Sequence, residues 1–348
     1  MKNIVDFTRP VNPLGMPQAV REALLNTVQS GLPEPFDGEF TDLRETIAVR
    51  HRAQLSQIAV SRVEEELITL LAVSCGAKRA LLPMPCPESY KRAMVRAGAT
   101  VKELRLSPRH NYRLVHGELR EALRGCDLLL MGNPAYPSGA LVPPAQLLEE
   151  VEEWASRGNW MIVDESMLDF TYGGIANSVW SGFRHVSRAA LIRSFTASLA
   201  LDACPLCYAV GGAGWLAQVR SLQFQPALSP LAACLTHALE KLISFRSDTI
   251  DSVAELRNKF VGRLRRVSGL RPFPSDANWV LCSFERNDMT LRELADQLRR
   301  RWIIVEPCID DAHVALPLRP AADVDRFIRT VREILMPKKD YQKMLPLA

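Results

Sequence analysis

Short apolar runs alternate with amphipathic helical patterns from about residue 57 to about residue 225, and this alternation constrains the fold more than any other feature of the chain. Parallel strands need a crossover between them, usually a helix, and the helices then cover both faces of the sheet. The pattern therefore predicts an α/β large domain around a mostly parallel sheet. Strands are predicted at residues 79–82, 100–106, 127–131, 160–164, 190–194 and 207–210.

A second, smaller unit is predicted beyond the break at Gln225-Pro226. Two long helical patterns are followed there by a strand, a helix, two strands and a final helix, which is an α+β arrangement. A chain of 348 residues, 47% of them hydrophobic, is long enough to divide into two domains. We expect a large domain at residues 36–225 and a small C-terminal domain at residues 226–348.

The charge pattern indicates neither a nucleic-acid surface nor a membrane-binding face. The chain has 43 basic and 39 acidic residues, and these charges are interspersed along it. The N-terminus has no apolar signal region, and no apolar run approaches the roughly 18 residues that cross a bilayer. We therefore expect a cytoplasmic protein. Its eight cysteines are interpreted as reduced thiols, several of them buried.

Four motifs occur in a fixed order along the chain. They are Asn-Pro-Leu-Gly at 12–15, Gly-Asn-Pro-Ala-Tyr-Pro-Ser-Gly at 132–139, Val-Asp-Glu-Ser-Met-Leu-Asp-Phe at 163–170, and Ser-Phe-Thr-Ala at 194–197. Their order and separations resemble those of the fold-type-I pyridoxal-phosphate (PLP) enzymes of aminotransferase class I and II. The resemblance is closest to the L-threonine-O-3-phosphate decarboxylases of cobalamin biosynthesis and to the histidinol-phosphate aminotransferases.

This resemblance implies an aspartate-aminotransferase-like fold. In that fold a seven-stranded, mostly parallel sheet lies between helices and is joined to a small α+β domain. The resemblance also implies that an N-terminal segment, residues 1–35, packs on the small domain. Because such proteins complete their sites across a dimer interface, we expect a homodimer.

The lysine that forms the Schiff base with PLP in this family is missing. The family pattern Ser-Phe-Ser/Thr-Lys aligns with residues 194–197, so that Ala197 stands at the lysine position. Pro205 stands where the family has an arginine. We therefore expect no covalently bound cofactor, although the resemblance itself implies PLP.

Other positions match the family's cofactor and substrate contacts. Asp164 aligns with the partner of the pyridinium nitrogen, Asn133 with the donor to O3′, and Ser194 with a further position beside the cofactor. The arginine that binds a substrate carboxylate aligns with His313, and Arg319 is near enough in the sequence to substitute for it.

The phosphate-binding helix start of the family has a different sequence here. Its Gly-Asn-Gly-Ala-Thr aligns with residues 61–65, Ser-Arg-Val-Glu-Glu. Ser61 and Glu64 fit a capping box, which would satisfy the helix N–H groups internally. Glu64 and Glu65 would also repel a phosphate at close range. Pro87 and Met167 replace aromatic residues of the family pattern.

Three functions remain open. The favoured one is a degenerate family member that acts as a homodimeric scaffold, regulatory or binding protein, linked to cobalamin biosynthesis. The second is a non-standard PLP-dependent aminotransferase or decarboxylase of a phosphorylated amino acid, with the cofactor held noncovalently. The third is a small-molecule or metal binder that uses the emptied cleft and the Cys204 and Cys207 thiols. A lone Cys-x-x-Cys is weak evidence, and small residues at the start of a buried strand are the simpler interpretation.

Overall fold

The computed structural model describes residues 4–31 and 38–336. Its strands in chain order are β1 (Val5–Asp6), β2 (Ile58–Ser61), β3 (Arg79–Met84), β4 (Thr100–Arg105), β5 (Leu128–Gly132), β6 (Trp160–Asp164), β7 (Ala189–Ser194), β8 (Cys207–Gly211), β9 (Leu270–Pro272), β10 (Trp279–Phe284), β11 (Ile303–Ile304) and β12 (His313–Pro317).

The α-helices in chain order are α1 (Gln18–Ser30), α2 (Thr41–His51), α3 (Glu64–Cys75), α4 (Glu88–Arg96), α5 (Glu118–Ala122), α6 (Pro144–Ser156), α7 (Trp180–Phe183), α8 (Phe195–Ser198), α9 (Ala213–Leu222), α10 (Leu235–Glu240), α11 (Ile243–Leu264), α12 (Leu291–Arg299) and α13 (Ala321–Leu335). Within the described ranges, no helix combines the length and the apolar content that would let it cross a membrane.

Seven strands form the large sheet in the order β2-β8-β7-β6-β5-β3-β4. β8 runs antiparallel to β2 and β7, whereas the other neighbouring strands are parallel. The predicted seven-stranded, mostly parallel sheet is therefore confirmed, and β6 has the predicted bounds. β2 is missing from the predicted strands because its four residues are too short a run to show the pattern.

Alternating side chains of the strands pack into two separate cores, one on each face of the sheet. In β5, Leu129 and Met131 pack on the face covered by α2 and α6, whereas Leu128 and Leu130 pack on the face covered by α3 and α9. Strands buried on both faces need apolar residues at every position, as β5 has. Because helices cover both faces of the sheet, a binding site is expected at the ends of the strands.

The smaller unit has a three-stranded antiparallel sheet in the order β12-β10-β9. α11, α12 and α13 contribute to its apolar core. The N-terminal segment lies against this unit, because β1 pairs in parallel with β11 and Val5 faces Ile303. Phe7 is 1% exposed and packs its ring between those of Phe260 and Phe327.

Residues 227–242 pack with the large sheet. Leu228, Leu235 and Leu239 belong to the same apolar core as the strands, and the core of the smaller unit takes in α11 from Val253 onward. The division into domains stays a prediction, and its first boundary, at residue 35, lies outside the described residues.

Candidate functional site

A cavity of about 420 Å³ lies beside the carboxyl end of β6 and the start of α3. Its walls come from three parts of the chain. Asp164 and Glu64 come from the large sheet and α3, Thr8 from the N-terminal segment, and Trp279 from the smaller unit. Ligands of open α/β sheets bind at the carboxyl ends of the strands, so this cavity is the candidate site.

Asp164 is the last residue of β6, and both of its carboxylate oxygens accept a hydrogen bond. The hydroxyl of Tyr90 in α4 donates to Oδ2 at 2.8 Å, and the backbone N–H of Ser166 donates to Oδ1 at 2.9 Å. Burial, and then the negative charge of Asp164, raise the pKa of Tyr90 far above its usual value. Tyr90 therefore stays a neutral donor to a carboxylate that also lines the cavity.

Asn133 follows β5 and is fully buried. Its side chain is bonded to the backbone of Val142: Nδ2 donates to the carbonyl at 3.0 Å, and Oδ1 accepts from the N–H at 2.8 Å. The lining residues of the cavity include the neighbouring Pro134 but not Asn133. The amide thus holds the turn at 132–139, and its role toward a cofactor stays a prediction.

Ala197 lies in the four-residue helix α8, directly after β7. It is 7% exposed and belongs to the apolar core that contains Phe7 and Phe170. The Asn-Pro-Leu-Gly motif at 12–15 holds this loop. The backbone N–H of Asn12 donates to the carbonyl of Ala197 at 3.0 Å, and Asn12 Nδ2 donates to the carbonyl of Ser198 at 2.8 Å. The N-terminal segment thus fixes a loop whose side chain at position 197 carries no nucleophilic group.

Ser194 ends β7 and caps α8, since its Oγ accepts the N–H of Thr196 at 3.2 Å. Glu64, the first residue of α3, lies close enough for this hydroxyl to influence its carboxyl group. Burial raises the pKa of Glu64; the nearby Ser194 hydroxyl partly opposes this shift, whereas the negative charge of Asp164 adds to it. Two carboxyl groups from different elements thus face the same cavity.

The start of α3 differs from the sequence prediction. Ser61 is the last residue of β2 and pairs with Cys207, and the N-cap of α3 is Val63, which has no side-chain cap. The Ser61 hydroxyl bonds to the carboxylate of Glu66. The predicted Ser61–Glu64 capping box is therefore wrong, because sheet pairing holds Ser61 two residues before the helix cap.

Glu65 also lines the cavity, but its charge is balanced. Arg92 of α4 binds its carboxylate through two nitrogens, at 3.1 and 2.7 Å, and Arg96 binds it at 2.5 Å. Among the described residues that line the cavity, none is lysine, arginine or histidine. The uncompensated negative charge of the cavity therefore comes from Glu64 and Asp164.

The two predicted substrate residues lie elsewhere. His313 starts β12, where its Nδ1 is 2.7 Å from Asp310 Oδ1 and its Nε2 is 3.2 Å from the hydroxyl of Tyr112. Arg319 donates to the carbonyl of Arg9 at 3.0 Å and lines a separate groove between α11 and α13. Neither residue lines the cavity at Asp164, so the structure does not bring them together with it, and their substrate role stays a prediction.

Cys204 and Cys207 pack into different cores. Cys204 belongs to the core on the α2 face of the sheet and Cys207 to the core on the α3 face. Burial raises the pKa of Cys204 to about 11 and that of Cys207 far above its usual value, so both stay protonated at neutral pH. In the part of the chain that the structure describes, no group of three or more His, Cys, Asp or Glu side chains is arranged to hold a metal ion.

A buried charge network lies behind the loop that contains Ala197. Arg193 of β7 donates to Glu165 Oε2 at 3.2 Å and to Asp169 Oδ1 at 2.6 Å, and Arg50 of α2 also binds Asp169. Glu165 accepts two further hydrogen bonds, from the hydroxyl of Ser178 and from a backbone N–H. The sequence gives one signal of this network, a lone arginine at the end of the apolar run 189–194.

His51 lies beside this network and makes the stability of the fold depend on pH. Its Nε2 is 3.0 Å from the hydroxyl of Tyr208, and burial, followed by the charges of Arg193 and Arg50, lowers its pKa from 6.5 to about 3. Between these two pH values the unfolded chain binds the proton and the folded chain does not. The contribution of His51 to the free energy of unfolding is therefore fully present above pH 6.5 and is lost as the pH decreases toward 3.

We expect His51→Gln to reduce the change of the free energy of unfolding with pH. The histidine contributes a slope of up to about 1.4 kcal/mol per pH unit, because one proton is taken up on unfolding. Urea unfolding of both proteins between pH 4 and pH 8 measures the difference. Equal slopes for wild type and variant would contradict the assignment.

Residues 2–329 match the family model for aminotransferase class I and II. The chain belongs to this family. The threonine-phosphate decarboxylase of Salmonella typhimurium is 25% identical over 336 residues, which cover 95% of this chain and 91% of that protein. An adenosylcobalamin biosynthesis bifunctional protein of Leptospira interrogans is 28% identical over 173 residues, 49% of this chain and 20% of that protein.

The fold of this aminotransferase family member is also seen in solved structures. The histidinol-phosphate aminotransferase of Clostridium acetobutylicum superposes with a TM-score of 0.85 at 20% identity, covering 95% of this chain and 99% of that one. The residues at the family's cofactor positions, however, do not fit PLP. Ala197, in the loop after β7, has no amine, and the partly buried carboxyl group of Glu64 lies at the helix start to which the resemblance assigns the phosphate.

Proposed function

We propose that this family member does not carry out lysine Schiff-base chemistry and acts as a homodimeric binding or regulatory protein in the cytoplasm. The observation that carries the proposal is the carboxyl group of Glu64, which lies at the start of α3 and lines the cavity. A phosphate placed there would meet like charge in a partly buried site. A nucleophile is lacking as well, because the loop after β7 has Ala197 in place of lysine.

A link to cobalamin biosynthesis is part of the proposal. It is supported by the names of two relatives, a threonine-phosphate decarboxylase and an adenosylcobalamin biosynthesis protein. A family member that has lost the lysine Schiff-base reaction still has the surfaces and the cleft of the fold, and both are available to bind a ligand or a partner.

A PLP titration of the purified chain tests this proposal. We expect no aldimine absorbance at millimolar cofactor, and no labelled lysine after borohydride reduction and peptide mapping. Ala197→Lys alone is expected to take up little PLP because Glu64 remains, whereas the double variant A197K/E64S is expected to take up more. A labelled lysine in the wild-type chain, or turnover of any amino acid, would refute the proposal.

A specific observation supports the alternative of noncovalent PLP binding. Asp164 ends β6 with its carboxylate on the cavity, which is the place the resemblance assigns to the partner of the pyridinium nitrogen. PLP that is retained through dialysis, but is not fixed by borohydride, would favour this alternative over a protein without cofactor.

A further inference from the structure

The cavity beside β6 has negative charge that no side chain on its wall balances. Glu64 and Asp164 both line it, whereas the charge of Glu65 is matched by Arg92 and Arg96. The described lining residues include no cationic side chain. Two carboxyl groups against a wall of low dielectric attract a cation into the space between them.

Ser166 gives an independent sign that a ligand is needed. The residue is 6% exposed and lines the cavity, and its Oγ is buried without a hydrogen-bond partner. A buried hydroxyl without a partner is uncommon and costs free energy. Because the backbone N–H of Ser166 binds Asp164, the two residues are neighbours on the cavity wall.

The rest of the wall favours an organic cation over a metal ion. The ring of Tyr136 is backed at 5.5 Å by the fully buried ring of Trp279, and Pro10, Pro87 and Met167 supply further apolar surface. Aromatic faces attract organic ammonium ions, and apolar walls accommodate a carbon chain. A metal ion would need more ligands than the two carboxylates, and the described residues provide no such group.

We propose that this cavity binds a small organic ammonium ion. Its N–H groups bond to Asp164, Glu64 and Ser166, and its carbon chain lies against Tyr136 and Met167. The cavity, about 420 Å³, has the size of a small-molecule site. This inference rests on the proposed function, because a cleft that held PLP would have no room for a second ligand.

Calorimetric titration of the full chain with n-butylamine and 1,4-diaminobutane tests the proposal. We expect saturable binding that weakens as salt is added, because the attraction is electrostatic. n-Butanol, butyrate and magnesium chloride serve as neutral, anionic and metal controls, and each is expected to bind at least about tenfold more weakly. Binding of butyrate or magnesium as tight as that of the amines would overturn the proposal.

Two variants test the carboxylates separately. Asp164→Asn and Glu64→Gln are each expected to weaken amine binding by about tenfold or more, because each removes one charged acceptor. Glu66→Gln is the matched control: it lies in the same helical turn but bonds to Ser61, and we expect a change below about threefold. Thermal unfolding verifies that the variants fold. Unchanged affinity in both folded test variants would overturn the proposal.

A PLP titration of the same preparation separates the two proposals. Uptake of PLP that borohydride fixes to a lysine would refute the proposed function and the amine site with it. Failure of both amines to bind, in protein that takes up no PLP, would refute the amine site alone.

Discussion

Replacing Arg193 by methionine is expected to lower the free energy of unfolding by about 3–5 kcal/mol at neutral pH. The Arg193 side chain is 2% exposed and binds two carboxylates, those of Glu165 and Asp169. Without the guanidinium, Glu165 remains buried with no cationic partner and Asp169 keeps only Arg50, and an uncompensated buried charge is costly. The shift of the urea unfolding curve measures the loss.

Lowering the pH is expected to reduce the difference in the free energy of unfolding between wild type and Arg193→Met. Burial raises the pKa of Glu165 even in the wild-type protein, where Arg193 opposes that shift. In the variant both carboxyl groups are therefore protonated in the folded state at a higher pH, and lowering the pH removes the buried charge. Arg92→Met is the matched control, because its ion pair with Glu65 lies at the surface. We expect it to leave the curve nearly unchanged. A loss below about 1 kcal/mol in Arg193→Met would contradict the prediction.

Phe7→Ala is expected to destabilise the protein by about 3–5 kcal/mol, as is usual for removal of a buried aromatic ring. The Phe7 ring lies 4.8 Å from that of Phe327 and 6.3 Å from that of Phe260, measured between ring centroids. Its loss leaves a cavity between the N-terminal segment, α11 and α13. Thermal or urea unfolding measures the change.

The same substitution is expected to loosen one wall of the candidate site. Thr8 and Pro10 line the cavity within three residues after Phe7, so a detached segment would widen the opening of the cavity to solvent. Ile4→Ala is the control, because Ile4 is 51% exposed and its truncation removes little buried surface. If both variants were equally stable, Phe7 would not be the anchor of the segment.

The strands of the large sheet were largely predictable because buried parallel strands are continuous apolar runs, and β6 has the predicted bounds. β2 was not predictable, since four residues before a charged helix start show no period. The wrong capping box at Ser61 has the same origin: the Ser-x-x-Glu spacing predicts a cap only where the serine directly precedes the helix. Here β8 pairs with Ser61 and keeps it in a strand.

The residues of the candidate site were likewise only partly predictable from the sequence. Asp164 was found from its motif, and the structure places it on the cavity. Tyr90, Ser166 and Trp279 were not identified as site residues, because none of them stands out by composition or spacing. A tyrosine one helical turn after Pro87 is a weak signal, and only the packing of α4 against the sheet brings its hydroxyl to Asp164.

The sequence by itself predicted the α/β sheet from its alternating apolar runs, and its motifs implied, by resemblance, the aminotransferase fold with alanine in place of the reactive lysine, because periodicity and motifs are both local properties of the chain. Only the tertiary structure decided that Glu64 and Asp164 line one cavity, that Tyr90 donates to Asp164, and that Glu65 but not Asp164 has cationic partners. These outcomes depend on distances between residues far apart in the chain. Such distances are set by how helices pack on a sheet, and no spacing along the sequence specifies them.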